Sequence, residues 1–156
     1  MMLNIGDRRI GPGHACFIIA EAGVNHNGDP ELAKKLIEKA SEAGADCVKF
    51  QTFKAEEVAT ANAPKADYQL QVTEKSESQL QMLRKLELPR SAYTELMEFA
   101  ERKNILFLST PYSTDDAKFL DDCGVAAFKI ASGQIVEPSF LEYVADFQKP
   151  LLISTG

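Results

Sequence analysis

The sequence predicts an α/β fold in which parallel strands alternate with helices, and three observations carry this prediction. Short apolar runs rich in β-branched and aromatic residues recur along the 156-residue chain, at 16–22, 45–50, 105–109, 125–131 and 151–154. Amphipathic helical patterns lie between them, at 30–43, 78–86, 91–103, 114–123 and 138–147. No hairpin signal occurs after residue 15, so successive strands should be parallel.

The boundaries of these elements follow from local signals. Asp29 can cap the first helix, and Pro30 suits its first position because the missing N–H needs no partner there. Pro89 separates the second and third helical patterns, and a long polar connection, 52–77, precedes them. The opening segment, 1–14, is predicted as a cap whose first twelve residues form a small hairpin that plugs one end of the sheet.

Two architectures fit this order of elements: a doubly wound sheet and a (β/α)8 TIM barrel. A doubly wound fold with a phosphate site often has a glycine-rich first turn, whereas EAGVNHNGD contains neither GxGxxG nor GxxxxGK. Polar residues recur where the strands end, as in barrel active sites, and a barrel needs about eight units and ~250 residues. The sequence therefore predicts a parallel TIM barrel, with its first four βα units and strand five in residues 1–156.

Two lysines lie in predicted buried strands, where an unpaired charge is unfavourable. Lys49 stands in ADCVKFQTF and Lys129 in VAAFKIASG, and neither run supplies a carboxylate beside its lysine. A strand-end lysine can extend to water, which is the simpler interpretation of either one alone. Two of them in an acidic chain favour a pocket that binds a phosphate or a carboxylate.

Composition excludes several function classes. The net charge of −6 argues against a broad basic face for nucleic acid. Cys16, Cys47 and Cys123 are widely spaced, which is typical of buried thiols in a reducing compartment and predicts a cytoplasmic protein. The N-terminus lacks the apolar core of a signal peptide, and the longest apolar run is too short to cross a membrane.

Seven segments carry a resemblance to a known family. In order they are IAEAGVNHNG (19–28), VKFQTFKAEE (48–57), APKADYQ (63–69), ESQLQMLRKLEL (77–88), LSTPY (108–112), FKIASG (128–133) and ISTG (153–156). Together they resemble the N-terminal half of the sialic acid (N-acetylneuraminate) synthases, from about residue 15 to the end. KFQTF with a downstream STP and ISTG is a specific combination, whereas NHNG alone would be weak because Asn and Gly form turns anyway.

The resemblance implies an enzyme that condenses phosphoenolpyruvate with N-acetylmannosamine, its 6-phosphate or a related N-acyl sugar, giving a nonulosonic acid and phosphate. It implies a barrel followed by a small antifreeze-like domain, in a homodimer, with a divalent Mn²⁺ or Mg²⁺ held by two histidines of the second half of the barrel. Those parts lie outside residues 1–156, so no metal ligand is expected here. His14 precedes the first strand, and His26 is expected to shape the first loop.

Roles carry over by position. Lys49, Thr110, Lys129, Ser132 and Ser154 resemble the phosphoenolpyruvate-binding residues, while Glu21 and Gln51 occupy the catalytic positions. Glu21 resembles the acid beside the metal-bound water and the reacting carbons, and Gln51 a residue that faces the sugar. Lysines and hydroxyls suit a substrate with a phosphate and a carboxylate.

Simpler interpretations accompany these roles. Glu21 could cap a turn, Thr110 could be an ordinary strand end, and Ser132 could belong to a simple turn. Gln134 follows Ser-Gly where many relatives carry an acid, so a charge role at that position is in doubt.

Two other functions compete with the synthase. One is a different phosphoenolpyruvate-dependent 3-deoxy sugar acid synthase, against which AEAGVNHNG and KFQTF argue. The other is a catalytically incomplete half-barrel that serves as a binding or assembly module. The 156-residue chain alone is expected to be inactive, because it lacks the metal-binding histidines.

Overall fold

The computed structural model describes residues 2–60, 63 and 77–156. Its strands are β1 (Leu3–Ile5), β2 (Arg8–Ile10), β3 (Ile19–Gly23), β4 (Cys47–Thr52), β5 (Leu106–Pro111), β6 (Phe128–Ile130) and β7 (Leu151–Ile153). Its α-helices are α1 (Pro30–Glu42), α2 (Ala55–Val58), α3 (Gln79–Leu86), α4 (Tyr93–Arg102), α5 (Thr114–Asp122) and α6 (Pro138–Ala145). Short 3-10 helices occupy Arg90–Ala92 and Ser132–Val136.

The predicted strands and helices are present, with ends that differ by at most three residues. Two predictions are corrected. The connection 52–77 contains a short helix, α2, whose first N–H is accepted by the Glu87 carboxylate at 2.8 Å. Ser132 and Gly133 do not form a simple turn, since they open a five-residue 3-10 helix. Most of the predicted APKADYQ motif, at 64–69, lies outside the described residues, as does the polar stretch 71–76.

The strands pair in sequence order. β3, β4 and β5 form one parallel sheet, and β6 pairs with β7 in parallel. β5 and β6 lie side by side and bring the two sheets together. This parallel arrangement confirms the predicted α/β class.

Side chains along each strand alternate between two faces. One face packs against the helices: Phe50 and Phe107 stack at 5.1 Å between ring centroids, and Ile37 of α1 and Leu96 of α4 are fully buried in the same core. Burying side chains of this size contributes about 1.5–3 kcal/mol each. The opposite face, which carries Lys49, is termed the inner face below.

The amino end of the inner face is dry. β1 and β2 form the antiparallel hairpin expected near the N-terminus. Its Ile5 is fully buried against Cys47, Leu108 and Ala127. The hairpin thus covers one end of the sheet and leaves the carboxyl ends of the strands for polar side chains.

Helix α1 shows why the boundaries were predictable. The Asp29 carboxylate accepts a hydrogen bond from the Glu31 N–H at 2.8 Å, and Pro30 occupies the first turn.

Across the described ranges, no helix is both long enough and apolar enough to cross a membrane.

Candidate functional site

An ion pair joins the first two strands of the sheet on the inner face. Glu21 of β3 and Lys49 of β4 are register partners, and Lys49 Nζ lies 2.7 Å and 2.9 Å from the two carboxylate oxygens. The lysine side chain is 10% exposed, whereas the glutamate is 58% exposed. The counter-anion missing from the Lys49 run therefore comes from the neighbouring strand, and it sits where solvent or a ligand can reach it.

Lys129 of β6 is held differently. Its Nζ donates to the Ile130 carbonyl at 2.7 Å and to the Ser154 hydroxyl just beyond β7. Over the described stretches of chain, no carboxylate lies within 4.0 Å of this ammonium group. Burial lowers the pKa of Lys129, Lys49 lowers it further, and Glu21 opposes both effects. The charges of the two lysines therefore repel each other on one side of the sheet, and no anion among the described residues pairs with Lys129.

Gly23 is the point at which Glu21 and Gln51 converge. Its backbone is left-handed, with φ of +54°, at a register irregularity that ends β3. A Cβ at this position would lie 3.2 Å from Glu21 Oε1 and 3.8 Å from Gln51 Nε2. The carboxylate and the amide thus flank the same glycine, and the absence of a side chain leaves them room.

The remaining predicted residues divide into two groups. Thr110 of β5 is the register partner of Gln51 and is 2% exposed, so it adjoins the cluster. Ser132 is exposed at the start of the 3-10 helix that follows β6. The structure therefore brings six of the predicted residues to the same end of the strands, namely Glu21, Lys49, Gln51, Thr110, Lys129 and Ser154. The seventh, Ser132, stays a prediction.

Two further residues shape this region: Tyr112, which the sequence did not single out, and Gln134, which it noted only for a doubtful charge role. The Tyr112 hydroxyl donates to Gln51 Oε1 over a long 3.4 Å. Gln134 is buried, and its amide donates to the Pro111 carbonyl at 3.0 Å and accepts from the Ala131 N–H at 3.2 Å. Gln134 therefore fastens the turn after β6 to the end of β5 without using a charge. A polar side chain at an otherwise buried position was the available signal.

His26 shapes the first loop, as predicted. Its ring is fully buried 5.8 Å from that of Phe50, and Nδ1 accepts the Gly28 N–H at 3.0 Å. Burial lowers the pKa of His26, against the opposing charge of Asp29, so the neutral ring is favoured. A Cβ at Gly28 would lie 2.7 Å from the Lys85 carbonyl oxygen, so this loop is packed directly on the end of α3.

The described residues do not by themselves fit a divalent metal. Such ions need several oxygen or nitrogen ligands, and no group of three His, Cys, Asp or Glu side chains with suitable spacing occurs in the ranges 2–60 and 77–156. Glu21 would offer one carboxylate, but Lys49 already binds it.

A cavity of about 570 Å³ lies at the other end of the strands. It is bordered by Asp7 and Arg8 of the hairpin, by Glu98 and Glu101 of α4, and by the turn at Cys123. None of the predicted site residues lines it, so size alone does not locate the chemistry of this chain.

Known proteins resemble this chain over nearly its whole length. A sequence profile of the NeuB family matches residues 36–156. The N,N'-diacetyllegionaminic acid synthase of Campylobacter jejuni is 52% identical over 140 residues, which are 90% of this chain and 42% of that protein. The Legionella pneumophila protein of the same name is 46% identical over 146 residues, covering 94% and 41%.

A solved structure agrees with these matches. The N-acetylneuraminic acid (sialic acid) synthetase of Leptospira borgpetersenii, in complex with citrate, superposes with a TM-score of 0.87 at 33% identity. The alignment covers all of this chain and 50% of that one. The chain thus spans two fifths to one half of the length of these relatives.

Proposed function

Because this chain belongs to the NeuB family of sialic and legionaminic acid synthases, we propose that it is the phosphoenolpyruvate-binding part of a nonulosonic acid synthase. The observation that carries the proposal is Lys129, a half-buried ammonium group fixed by Ser154 and Ile130 but without a carboxylate partner in the described structure. A ligand phosphate or carboxylate would supply that partner. Thr110 and Lys49 border the same space and extend the anion site.

The proposed reaction joins two substrates. The methylene carbon of phosphoenolpyruvate attacks the aldehyde carbon of an open-chain sugar, so a C–C bond forms and the carbonyl oxygen takes a proton. Water adds to the resulting cation at C2, and the C–O bond to phosphate then breaks. The products are a nonulosonic acid and inorganic phosphate.

Residues of this chain supply binding and proton transfer in the proposed reaction. Lys129 and Ser154 hold an anionic group, and Lys49 fixes the position of the Glu21 carboxylate beside it through their ion pair. Glu21, which is exposed to the space above Gly23, is the proton carrier near the reacting carbons. Gln51 presents its amide next to that carboxylate and faces the sugar. A divalent Mn²⁺ or Mg²⁺ bound by residues outside this chain would activate the aldehyde.

The rest of the protein is proposed from the family. The side-by-side order of parallel strands from β3 to β7 supports a (β/α)8 barrel, of which the chain would form the first half. A second half, a C-terminal antifreeze-like domain, a homodimer and a cytoplasmic location complete the proposal. Ser132 stays a proposed phosphoenolpyruvate contact at the start of the 3-10 helix that follows β6.

We favour a diacetylated amino sugar as the acceptor. Two relatives with 52% and 46% identity are named N,N'-diacetyllegionaminic acid synthases. Removing the three carbons of phosphoenolpyruvate from a nine-carbon acid leaves a six-carbon sugar with two acetamido groups. N-acetylmannosamine and its 6-phosphate are the alternatives.

The test uses the polypeptide that carries this segment, expressed from its own reading frame, with Mn²⁺ and phosphoenolpyruvate. The acceptors are a 2,4-diacetamido hexose, N-acetylmannosamine, its 6-phosphate and arabinose 5-phosphate. We expect phosphate release and a nonulosonic acid by mass spectrometry, fastest with the diacetamido sugar. Turnover with arabinose 5-phosphate alone would indicate a 3-deoxy sugar acid synthase. Phosphoenolpyruvate binding by a folded protein that turns over none of the acceptors would indicate a binding module.

A further inference from the structure

Three hydroxyl groups form a buried chain behind the candidate site. Thr52 Oγ1 lies 2.8 Å from the Tyr93 hydroxyl and 2.7 Å from Ser109 Oγ. All three residues are at most 3% exposed. Their side chains point towards the helices, where the neighbouring positions are apolar. Polar groups at core positions are unfavourable unless hydrogen-bonded, so this chain has a specific geometry.

The three hydroxyls belong to three different elements. Tyr93 begins α4, Thr52 ends β4, and Ser109 lies near the end of β5. The Tyr93 ring is fixed by edge contacts with Phe107 at 6.0 Å and with Phe119 at 5.0 Å between centroids. Burial raises the pKa of Tyr93 to about 12, so its hydroxyl keeps its proton throughout the ordinary pH range.

The residues next to these hydroxyls belong to the candidate site. Gln51 precedes Thr52 and Thr110 follows Ser109, and because side chains alternate, both point to the inner face. Gln51 and Thr110 are register partners. The Tyr93 hydroxyl also approaches the Gln51 carbonyl oxygen at 3.5 Å. A displacement of the hydroxyl chain would therefore move Gln51 relative to Thr110.

We propose that Tyr93, Thr52 and Ser109 are positioning residues. They fix the position of the Gln51 side chain relative to Thr110, its register partner on β5, and so place the sugar acceptor against phosphoenolpyruvate. This inference rests on the proposed function. The hydroxyl chain contacts neither substrate and acts through the ends of β4 and β5. Its effect should fall on the acceptor, because Gln51 faces the sugar while Lys129 and Ser154 hold the other substrate from β6 and β7.

The test compares Thr52→Val with Thr52→Ser in the polypeptide that carries this segment. Valine keeps the methyl group and removes the hydroxyl, whereas serine does the reverse. We expect Thr52→Val to raise the KM for the acceptor about tenfold, the effect of one lost hydrogen bond. The KM for phosphoenolpyruvate should change less than about twofold, and Thr52→Ser should restore acceptor use. Thr94→Val, an exposed threonine on the same helix as Tyr93, is the matched control and should behave as wild type.

A double-mutant cycle separates positioning from a general structural effect. In a Gln51→Ala background, Thr52→Val should cause no further loss, since the residue through which it acts is gone. Equal losses for both substrates, a loss that adds to that of Gln51→Ala, or an unaltered Thr52→Val enzyme would overturn the proposal. If Thr52→Val fails to fold, Tyr93→Phe removes the terminal hydroxyl with less disturbance, and the same pattern is expected.

A structural readout keeps this inference distinct from the proposed function. If the wild-type protein condenses none of the acceptors, the proposed function fails. Crystal structures of the wild type and Thr52→Val still test positioning, because the separation between Gln51 and Thr110 should change. An unchanged separation would overturn the positioning role whatever the activity.

Discussion

The two ends of the inner face differ sharply although they are only one or two residues apart along each strand. On β4, Cys47 and Lys49 point the same way and are about 7 Å apart. Cys47 is sealed under Ile5 of the hairpin, whereas Lys49 binds a carboxylate that is 58% exposed. The same face is thus a dry core at its amino end and a charged surface at its carboxyl end.

This difference teaches how the fold tolerates an unfavourable site. Among the described residues, no carboxylate lies within 4.0 Å of the Lys129 ammonium group on the inner face, and burial lowers its pKa. A charged form disfavoured in the folded state weakens folding. The apolar amino end, with Ile5 and Leu108 fully buried, supplies stability within the same set of strands. Function and stability are therefore expected to be separable by substitution at opposite ends.

The largest effect should come from Lys129→Met. Losing a buried charge-assisted contact is expected to cost about 2–5 kcal/mol of transition-state stabilisation. This corresponds to a roughly 30- to 5000-fold fall in kcat/KM for phosphoenolpyruvate. The effect on sugar use should be much smaller. Steady-state kinetics with each substrate varied in turn is the measurement. Lys118→Met, which removes an exposed lysine of α5 paired with Asp122, is the control.

The same variant should not lose stability. The pKa of Lys129 is lower in the folded state, so the protonated side chain disfavours folding below that pKa, and the penalty disappears as pH rises towards its ordinary value of 10.5. Lys129→Met should therefore melt at or above the wild-type temperature at neutral pH, with a difference that shrinks on raising the pH. A strongly destabilised Lys129→Met variant with normal phosphoenolpyruvate kinetics would contradict the assignment of substrate binding to the carboxyl end and stability to the amino end.

The next effect concerns the opposite end. Ile5→Ala should lower the free energy of unfolding by about 2–5 kcal/mol, because it leaves a cavity among buried side chains. The KM for phosphoenolpyruvate should stay within about twofold of wild type, since Ile5 packs against Cys47, Leu108 and Ala127, none of which is proposed to bind substrate. Urea unfolding and kinetics on the same preparation test both parts. A loss of substrate affinity as large as that of Lys129→Met would show that the two ends are coupled.

The smallest effect is a difference in thiol reactivity. Burial raises the pKa of Cys47 to about 12, so roughly one thiol in ten thousand is ionised near pH 8. Exposed Cys16 is the internal control. Iodoacetamide should modify Cys16 and spare Cys47, as followed by peptide mass spectrometry, and Ile5→Ala should speed labelling of Cys47. Equal labelling in the native protein would mean that the amino end is not dry.

Sequence reasoning reached the parallel α/β arrangement because periodicity and capping residues are local. Asp29 and Pro30 marked the start of α1, and the strands pair in the order in which they occur. It also anticipated that Lys49 needed an anion from elsewhere. It did not identify Glu21 as that anion, because strand register brings the two together across 28 residues.

The misses have physical causes as well. Ser132 stays a predicted binding residue, and the sequence did not show that it opens a 3-10 helix with its side chain exposed, because Ser-Gly is equally common in turns. The sequence placed Thr52 in the polar connection and Ser109 at a strand end, and did not pair their hydroxyls, because a hydrogen bond spanning 57 positions leaves no local pattern. A local sequence pattern does not show the register between neighbouring strands, which decides which distant residues meet.

Gly23 has a genetic consequence. Any codon change that replaces glycine adds at least a Cβ, which here would lie 3.2 Å from the Glu21 carboxylate on a left-handed backbone. No single-nucleotide substitution at this codon therefore gives a residue that fits as well as glycine. Changes of specificity among descendants of this chain should accordingly bypass residue 23 and accumulate at side chains that contact Gln51, such as Tyr112.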